Sequence, residues 1–262
     1  MCKGDIKIKK RYVILMDFDY SNILRDNEYH GLENIFVVVP KEGTFIPDET
    51  IKYLERVLDG NLRFVDKSEQ SMIDTIEDIS PDVLITMGWR KIISKNVFEK
   101  VNLSINIHPA LLPDYKGYHP LPYLLTNNEK EHGLTAHLIS EEVDAGDIIA
   151  QHRFRINKFS TIQSLIDMSR REMPNFFNKI INGIENDKLI FTKQDNSKTK
   201  IIAKRRTPSD SELDASKPLI QLFDDIRACD QDRFPPYFYV DGEKVYVKLW
   251  RESENKENQY DI

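Results

Sequence analysis

The sequence predicts an α/β fold built around a mostly parallel, Rossmann-like sheet. Short apolar runs rich in Val and Ile recur through the N-terminal half, and amphipathic stretches separate them. This alternation is typical of βαβ units, whose parallel strands are buried on both faces. Apolar residues make up 40% of the 262 residues, which is enough for a sizeable core.

Each predicted strand is an apolar run that ends at a turn residue or a proline. In chain order the strands are 12–16, 35–39, 62–65, 82–87, 101–107, 133–139 and 148–154, of which the last two form a hairpin with a long connection. The predicted helices are 51–58, 71–79, 121–126, 162–184 and 218–229. We expect Asp48 or Thr50 to cap the first helix and Ser160 or Thr161 to cap the fourth, where Pro174 predicts a kink or a break.

A polar segment rich in Lys, Ser, Thr and Asp predicts a boundary near the end of the chain. Beyond it, Asp241 and Gly242 form a turn between two aromatic runs, which indicates a β-hairpin ending near Trp250. The charged residues 251–262 are expected to be frayed. The predicted parts are an N-terminal catalytic domain over 1–190, a linker over 191–216 and a short C-terminal module with the hairpin over 217–262.

The composition argues against several classes of protein. The formal charge is -6, whereas proteins that hold nucleic acid through its phosphates usually carry a basic excess. The two cysteines, Cys2 and Cys229, have no spacing typical of a metal site or a disulfide framework. No segment has the apolar length of a membrane span or a signal peptide. We expect a cytoplasmic protein with no metal.

The main candidate for a reactive site is the end of the strand at 101–107. Asn106 and His108 lie two positions apart, so their side chains project from the same face of a strand. Pro109 then ends the strand, and ligands of α/β sheets gather at such carboxyl ends. An amide that can hold a carbonyl oxygen and an imidazole that can move a proton would lie side by side here.

A resemblance emerges from the order of several short motifs. Asn106-Ile107-His108-Pro109 is followed by Leu111-Leu112-Pro113, by Tyr115-Lys116-Gly117, by Gly133-Leu134-Thr135-Ala136-His137-Leu138 and by Val143-Asp144-Ala145-Gly146-Asp147. This series resembles the formyltransferases that use 10-formyltetrahydrofolate, and Arg205-Arg206-Thr207-Pro208 extends it more loosely. The resemblance implies the sheet of that family and transfer of a formyl group to an amine.

The family's roles carry over to matching positions. Asn106 would donate a hydrogen bond to the oxyanion, His108 would move a proton, and Asp144 would orient the imidazole; which of Asn106 and His108 contacts the oxyanion stays open. His137 is interpreted as a structural histidine. The folate co-substrate would be held, largely through backbone groups, by the residues Trp89, Arg90, Lys91, Ile92, Ser140, Glu141, Glu142 and Val143.

The acceptor is a nucleotide-linked amino sugar if the resemblance is closest to the sugar N-formyltransferases. The turn Asp17-Phe18-Asp19-Tyr20 lacks the glycine-rich phosphate loop of glycinamide ribonucleotide enzymes. Tyr118 stands where lipid-A-type enzymes have Arg, which favours dTDP-4-amino-4,6-dideoxyglucose, used in surface polysaccharide (O-antigen) synthesis. The 3-amino sugar and a UDP or GDP carrier remain open. Contacts to this substrate are expected from Lys116, Tyr118 and His119.

Two alternatives stand beside this interpretation. A methionyl-tRNA formyltransferase would share the motifs, but only about 50 residues follow Arg205-Arg206-Thr207-Pro208 here and the chain is acidic. A catalytically silent nucleotide-sugar-binding relative would not need Asn106, His108 and Asp144 together. We expect a homodimer with no nucleic-acid or membrane partner, and the aromatic hairpin is a candidate interface.

Overall fold

A computed structural model describes residues 6–26, 29–66, 68–195, 197, 199, 202–252 and 257–262. The strands are β1 (Ile6–Lys7), β2 (Tyr12–Met16), β3 (Tyr29–His30), β4 (Ile35–Pro40), β5 (Leu62–Val65), β6 (Val83–Met87), β7 (Leu103–His108), β8 (Lys116–Gly117), β9 (Glu131–Leu138), β10 (Ile148–Arg155), β11 (Ile202–Ala203), β12 (Tyr237–Val240) and β13 (Glu243–Tyr246). The helices are α1 (Asn22–Arg25), α2 (Asp48–Leu58), α3 (Glu69–Ile79), α4 (Lys95–Phe98), α5 (Pro120–Thr126), α6 (Ile162–Glu185) and α7 (Leu219–Arg227).

The predicted fold class is confirmed. Within the described residues, seven strands form one sheet in the order β10-β9-β7-β6-β2-β4-β5. The strands from β7 to β5 in this order are parallel, and β9 runs antiparallel to β7. The chain passes from β2 to β4 and β5 on one side and then to β6 and β7 on the other. The order therefore reverses between β2 and β6, and the carboxyl ends of the parallel strands form the edge where α/β proteins bind ligands.

Alternation along β2 explains how the sheet is covered. Val13 and Leu15 point to one face and pack in a buried cluster with Met72 and Ile76 of α3. Tyr12 points to the opposite face, where its hydroxyl donates to Glu185 of α6 at 2.7 Å. Every side chain of β2 is buried, as expected for a central parallel strand.

The chain forms two compact units that interleave along the sequence. The first comprises Met1–His108, Thr135–His152 and Glu172–Asn196, and the second comprises Pro109–Leu134, Arg153–Arg171 and Ser197–Ile262. The second unit has its own core, in which Tyr115, Leu125, Ile156 and Leu165 pack together. The predicted division into 1–190, 191–216 and 217–262 follows the chain rather than these units and stays a prediction.

Several local expectations need correction. Neither Asp48 nor Thr50 caps α2, because the helix begins at Asp48 after Pro47, and the Thr50 hydroxyl donates to Asp19 at 2.8 Å instead. Thr161 does cap α6, since its hydroxyl accepts the Ser164 N–H at 3.2 Å. α6 continues through Pro174 without a break. Burial of Met173 and Phe177 on either side of the proline holds this part of the helix against the core.

The expected fraying of the C-terminus is wrong for 257–262, whereas 253–256 lie outside the described residues. The Asp261 carboxylate accepts from Ser164 Oγ at 2.7 Å and from Asn157 Nδ2 at 2.8 Å. The Ile262 N–H donates to Phe159 O at 3.0 Å. A charged composition suggested solvation, but the charge of Asp261 is satisfied by buried polar partners. The hairpin of β12 and β13 is present and ends at Tyr246, four residues before the predicted end at Trp250.

The segment predicted as a linker contains regular structure. Thr192 forms an isolated antiparallel bridge with Ile148 of β10. The two residues of β11 pair in parallel with β8, and 208–211 form a 3-10 helix. Cys229 is buried, and burial raises the pKa of its thiol, as suits a structural cysteine; Cys2 lies outside the described residues. No helix among the described residues is long and apolar enough to span a membrane.

Candidate active site

The register of the sheet places three polar side chains in one row. Thr86 of β6 pairs with Asn106 of β7, and Asn106 pairs with His137 of β9. Residues that pair directly across strands share a face of the sheet. His108 lies two residues beyond Asn106 on the same face, as its spacing predicted. The strand ends therefore bring an alcohol, an amide and two imidazoles together.

Hydrogen bonds fix the orientation of the Asn106 amide. The Thr86 hydroxyl donates to Asn106 Oδ1 at 2.7 Å. His137 Nδ1 lies 2.8 Å from Leu138 O, which can only accept, so Nδ1 carries the proton and Nε2 accepts from Asn106 Nδ2 at 3.1 Å. His137 is buried, as expected for a structural histidine, and its ring also contacts the candidate catalytic amide.

Asp144 joins the two imidazoles and the amide. Its Oδ2 lies 3.4 Å from His108 Nδ1, and its Oδ1 lies 3.2 Å from Asn106 Nδ2 and 3.4 Å from His137 Nε2. The Asn106 amide nitrogen, which lies within hydrogen-bond distance of both His137 Nε2 and the carboxylate, bridges the two. The side chains of His108 and Asp144 are only 5% and 10% exposed, so this charge acts in a poorly solvated site.

The arrangement revises the role of Asn106. Its amide nitrogen is directed into the cluster, 3.2 Å from Asp144 Oδ1 and 3.1 Å from His137 Nε2. Donation to an oxyanion would require an N–H group that is not engaged with these partners. His108 has Nδ1 facing Asp144, so a proton on Nδ1 leaves the lone pair on Nε2, as a proton acceptor requires.

The loop that carries Asp144 has a constrained backbone. Asp144 adopts a φ of +53°, in the left-handed region that non-glycine residues seldom occupy. Two residues later, a Cβ on Gly146 would lie 1.9 Å from Leu138 O, which no side chain could tolerate. Gly146 therefore lets the loop pass close to the end of β9. Such strain is found preferentially at functional sites.

The first predicted folate segment, Trp89 to Ile92, follows β6. Trp89 is half-buried and packs on the core cluster of α3. Arg90 forms two hydrogen bonds to the buried Asp17 at the end of β2, from Nε at 2.7 Å and from Nη2 at 3.2 Å. Its guanidinium also lies 4.3 Å from the centre of the Phe45 ring. Lys91 is exposed, and Ile92 is 68% exposed. Arg90 thus holds β2 to β6 through its side chain.

The second predicted folate segment, Ser140 to Val143, follows β9. Ser140 Oγ donates to the carbonyl of Glu142 at 2.8 Å, which closes the loop on itself. Glu141 forms an ion pair with Lys95 at the start of α4, and Glu142 is exposed. Because α4 follows the first segment directly, this pair brings the two predicted segments to one side of the site.

Each of the two predicted folate segments carries an exposed apolar side chain. Ile92 is 68% exposed and Val143 is 43% exposed. Their contact with the co-substrate stays a prediction. Among the described residues, no group of His, Cys, Asp and Glu could hold a metal ion.

The predicted sugar-nucleotide residues belong to the second unit, so their relation to Asp144 stays a prediction. Lys116 is 5% exposed within β8, and Tyr118 is 37% exposed. His119 has a φ of +51° and its Nδ1 accepts the N–H of Arg206 at 3.3 Å. Desolvation and the positive charges of Arg205, Arg233 and Arg206 lower the pKa of His119. Burial is the largest cause of the lowered pKa of His119, and the charges of the three arginines add to it.

A family model described as Formyl transferase matches residues 28–181, more than half of the sequence. The chain belongs to the formyl transferase family. A methionyl-tRNA formyltransferase of Treponema pallidum is 30% identical over 192 residues, which are 71% of this chain and 58% of that protein. The chain thus spans less than two thirds of that relative.

Two solved structures of the family share the fold. A 4-N formyltransferase from Francisella tularensis matches with a TM-score of 0.70 and 21% identity, over 93% of this chain and 98% of that one. WlaRD, a sugar 3N-formyl transferase solved in the presence of dTDP and 5-N-formyl-THF, matches with a TM-score of 0.66 and 24% identity, over 90% and 84% of the two chains. The predicted family is confirmed.

Thr86 and His137 are the contributors to the site that sequence reasoning missed or undervalued. Each is ordinary on its own strand, and only the pairing of β6, β7 and β9 shows that both flank Asn106. Strands that pair across a long stretch of sequence leave no local signal for register. The alternation of side chains along β9 could be predicted from the sequence, but the neighbouring strand that pairs with it at His137 could not.

Replacing Thr86 with valine tests the orientation of the Asn106 amide. The substitution keeps the shape but removes the donor to Oδ1, so we expect a loss of about 1 kcal/mol in the free energy of unfolding and a decrease of about fivefold to tenfold in kcat, because a freed amide can rotate. Thr75→Val is the matched control, since the Thr75 hydroxyl donates to Ser71 O within α3 at 2.7 Å. An equal loss of kcat in both variants would contradict this role for Thr86.

Proposed function

We propose that this protein transfers the formyl group of 10-formyltetrahydrofolate to the amino group of a nucleotide-linked amino sugar. The observation that carries the proposal is the contact of Asp144 with His108 Nδ1 beside the Asn106 amide, at the carboxyl end of a parallel sheet. In a member of the formyl transferase family, this arrangement supplies a proton carrier, an orienting carboxylate and a hydrogen-bond donor.

The chemistry assigns a task to each side chain. The co-substrate supplies an activated formyl carbon, and the amine forms a C–N bond to it as negative charge develops on the formyl oxygen. His108 accepts the proton that the amine loses and returns it towards the departing folate nitrogen, whose bond to the formyl carbon breaks. Asp144 stabilises the imidazolium, and Asn106 donates to the oxyanion after turning one N–H outward. The products are a formamide and tetrahydrofolate.

An amino sugar on a nucleotide is supported by three features. Arg205, Arg206 and Arg233 place positive charge near His119. Asp230 offsets part of it by pairing with Arg233 at 2.6 Å, and the remaining charge suits a diphosphate. The turn after β2 is occupied by its own side chains: a Cβ on Gly88 would lie 2.9 Å from the Phe18 ring and 3.0 Å from the Tyr20 ring. A glycine-rich phosphate loop is thus absent from the crevice between β2 and β6. Finally, WlaRD was solved with dTDP.

Within that class we propose dTDP-4-amino-4,6-dideoxyglucose as the acceptor, for surface polysaccharide synthesis, with Lys116, Tyr118 and His119 contacting it. The second candidate is methionyl-tRNA, which the 30% identity to the Treponema pallidum enzyme favours. The net charge of -6 opposes it, because tRNA binding draws on basic surfaces. We also propose a homodimer that acts in the cytoplasm.

A competition assay separates these acceptors. The purified protein would be incubated with 10-formyltetrahydrofolate and a mixture of dTDP-, UDP- and GDP-linked amino sugars together with methionyl-tRNA, and each product would be identified by mass spectrometry. We expect the dTDP-linked 4-amino sugar to be formylated first. Formylation of methionyl-tRNA with every sugar unchanged would overturn the proposal, and formylation of no acceptor would favour a silent relative.

Replacing Arg205 with alanine tests the positive potential. Removing one charge should move the pKa of His119 up towards its ordinary value of 6.5, as NMR titration would show, and should raise the KM for the nucleotide sugar about tenfold. Arg153→Ala, which removes an exposed charge paired with Glu131, should change neither the pKa of His119 nor the KM for the nucleotide sugar.

The lowered pKa of His119 also predicts a pH dependence of the free energy of unfolding. Because the neutral ring is favoured in the fold, this contribution to stability is fully present above about pH 6.5 and is lost as the pH falls towards the lowered pKa.

A further inference from the structure

The loop that carries Asp144 is bound by a side chain from far along the chain. Gln194 Nε2 donates to Asp144 O at 2.9 Å and to Gly146 O at 2.7 Å. One amide nitrogen carries two hydrogens, so a single side chain can serve both carbonyls. These two hydrogen bonds hold the backbone on either side of Ala145, next to the residue that carries the Asp144 carboxylate.

An isolated β-bridge between Ile148 and Thr192 places Gln194 next to the Asp144 loop. Ile148 N donates to Thr192 O at 2.8 Å, and Thr192 N donates to Ile148 O at 2.9 Å. In an antiparallel pair, each step forward on one strand is a step back on the other. Continuing the bridge between Ile148 and Thr192 by two residues sets Gln194 opposite Gly146, which matches the observed hydrogen bond.

The loop needs such support. The φ of +53° at Asp144 lies in the left-handed region, which Asp tolerates better than most residues but which still benefits from contacts that hold the backbone there. The carboxylate must also stay within 3.4 Å of His108 Nδ1 and 3.2 Å of Asn106 Nδ2. A displacement of about 1 Å at a reacting group can cost about a hundredfold in rate.

We infer that Gln194 is a positioning residue, which holds the Asp144 backbone so that the carboxylate meets His108 and Asn106. It lies in the segment that the sequence predicted to be a linker, so that segment contributes to the active site. The catalytic consequence rests on the proposed formyl transfer, whereas the structural consequence does not. An amide is required because both partners are carbonyls; a carboxylate at this position would have no proton to donate to either.

The kinetic test compares Gln194→Ala and Gln194→Glu with Lys193→Ala, which alters the exposed neighbouring side chain. We expect Gln194→Ala to lower kcat about tenfold to a hundredfold with KM for the nucleotide sugar nearly unchanged. Relative to the wild type at the same pH, Gln194→Glu should be equally impaired at alkaline pH and should recover in part at acidic pH, because a protonated carboxyl can donate one hydrogen bond. Gln194→Ala should show no such recovery, and Lys193→Ala should behave as the wild type.

A second measurement does not depend on activity. The imidazole resonances of His108 and His137 should shift in both Gln194 variants, because Asp144 moves relative to the rings, and should keep their positions in Lys193→Ala. Unchanged resonances together with unchanged kcat would overturn the inference. If the wild type formylates no amine, the proposed function fails, but shifted resonances would still support the positioning role and unchanged ones would still refute it.

Discussion

Replacing His108 with alanine is expected to lower kcat for formyl transfer by about 10²-fold to 10⁴-fold. The substitution removes the ring whose Nδ1 faces Asp144 and with it the proton acceptor for the amine. KM for the nucleotide sugar should change little, because His108 acts on the transferring proton rather than on the nucleotide. Steady-state kinetics of formamide production would measure both quantities.

The control for this loss is His152→Ala. His152 lies on β10 and pairs with Glu172 at 3.4 Å at a partly exposed position, so its removal should leave kcat within about twofold of the wild type. A His108→Ala enzyme that keeps nearly full kcat would show that the imidazole is not the proton carrier.

Replacing Gly146 with alanine is expected to disable the site and weaken the fold. The new Cβ would lie 1.9 Å from Leu138 O, so the Asp144 loop or the end of β9 must move. We expect a loss of about 1–3 kcal/mol in the free energy of unfolding and about a hundredfold lower kcat, since the Asp144 carboxylate would move from His108. Thermal unfolding and steady-state kinetics would measure the two effects.

Gly183→Ala is the matched control because it makes the same chemical change within α6. There the added Cβ would meet Leu189 Cδ2 at 2.7 Å, which is the far end of a flexible side chain and can move away. Its kcat should stay close to that of the wild type. Similar activity of Gly146→Ala and the wild type would show that the Asp144 loop tolerates displacement.

The parallel strands were predictable because burial on both faces leaves continuous apolar runs. The run at 12–16 became β2 with the same bounds. The run at 62–65 became β5, although that edge strand is only partly buried. The two-residue strands β8 and β11 escaped prediction, since two residues carry no periodicity. The burial of the C-terminus at Asp261 was not predicted, because composition shows that a residue is charged but not which partners form hydrogen bonds with it.

Only part of the candidate site could be predicted from the sequence. Asn106 and His108 follow from spacing along one strand, and Asp144 follows from the family's motif. His137, Thr86 and Gln194 depend on which strands and bridges pair, and register is a property of the folded sheet. The motif also suggested that Asn106 points at the substrate, whereas its amide lies within a network that only the positions of its neighbours reveal.

The most direct test of the account follows the formyl carbon itself. The wild type and His108→Ala would each be incubated with 10-formyltetrahydrofolate labelled with ¹³C in the formyl group and with dTDP-4-amino-4,6-dideoxyglucose. Mass spectrometry would locate the label, and absorbance would follow tetrahydrofolate. The account predicts that the wild type places one labelled formyl group on the sugar amine for each tetrahydrofolate released, and that His108→Ala places almost none. Label found only in free formate, or equal transfer by both proteins, would contradict it.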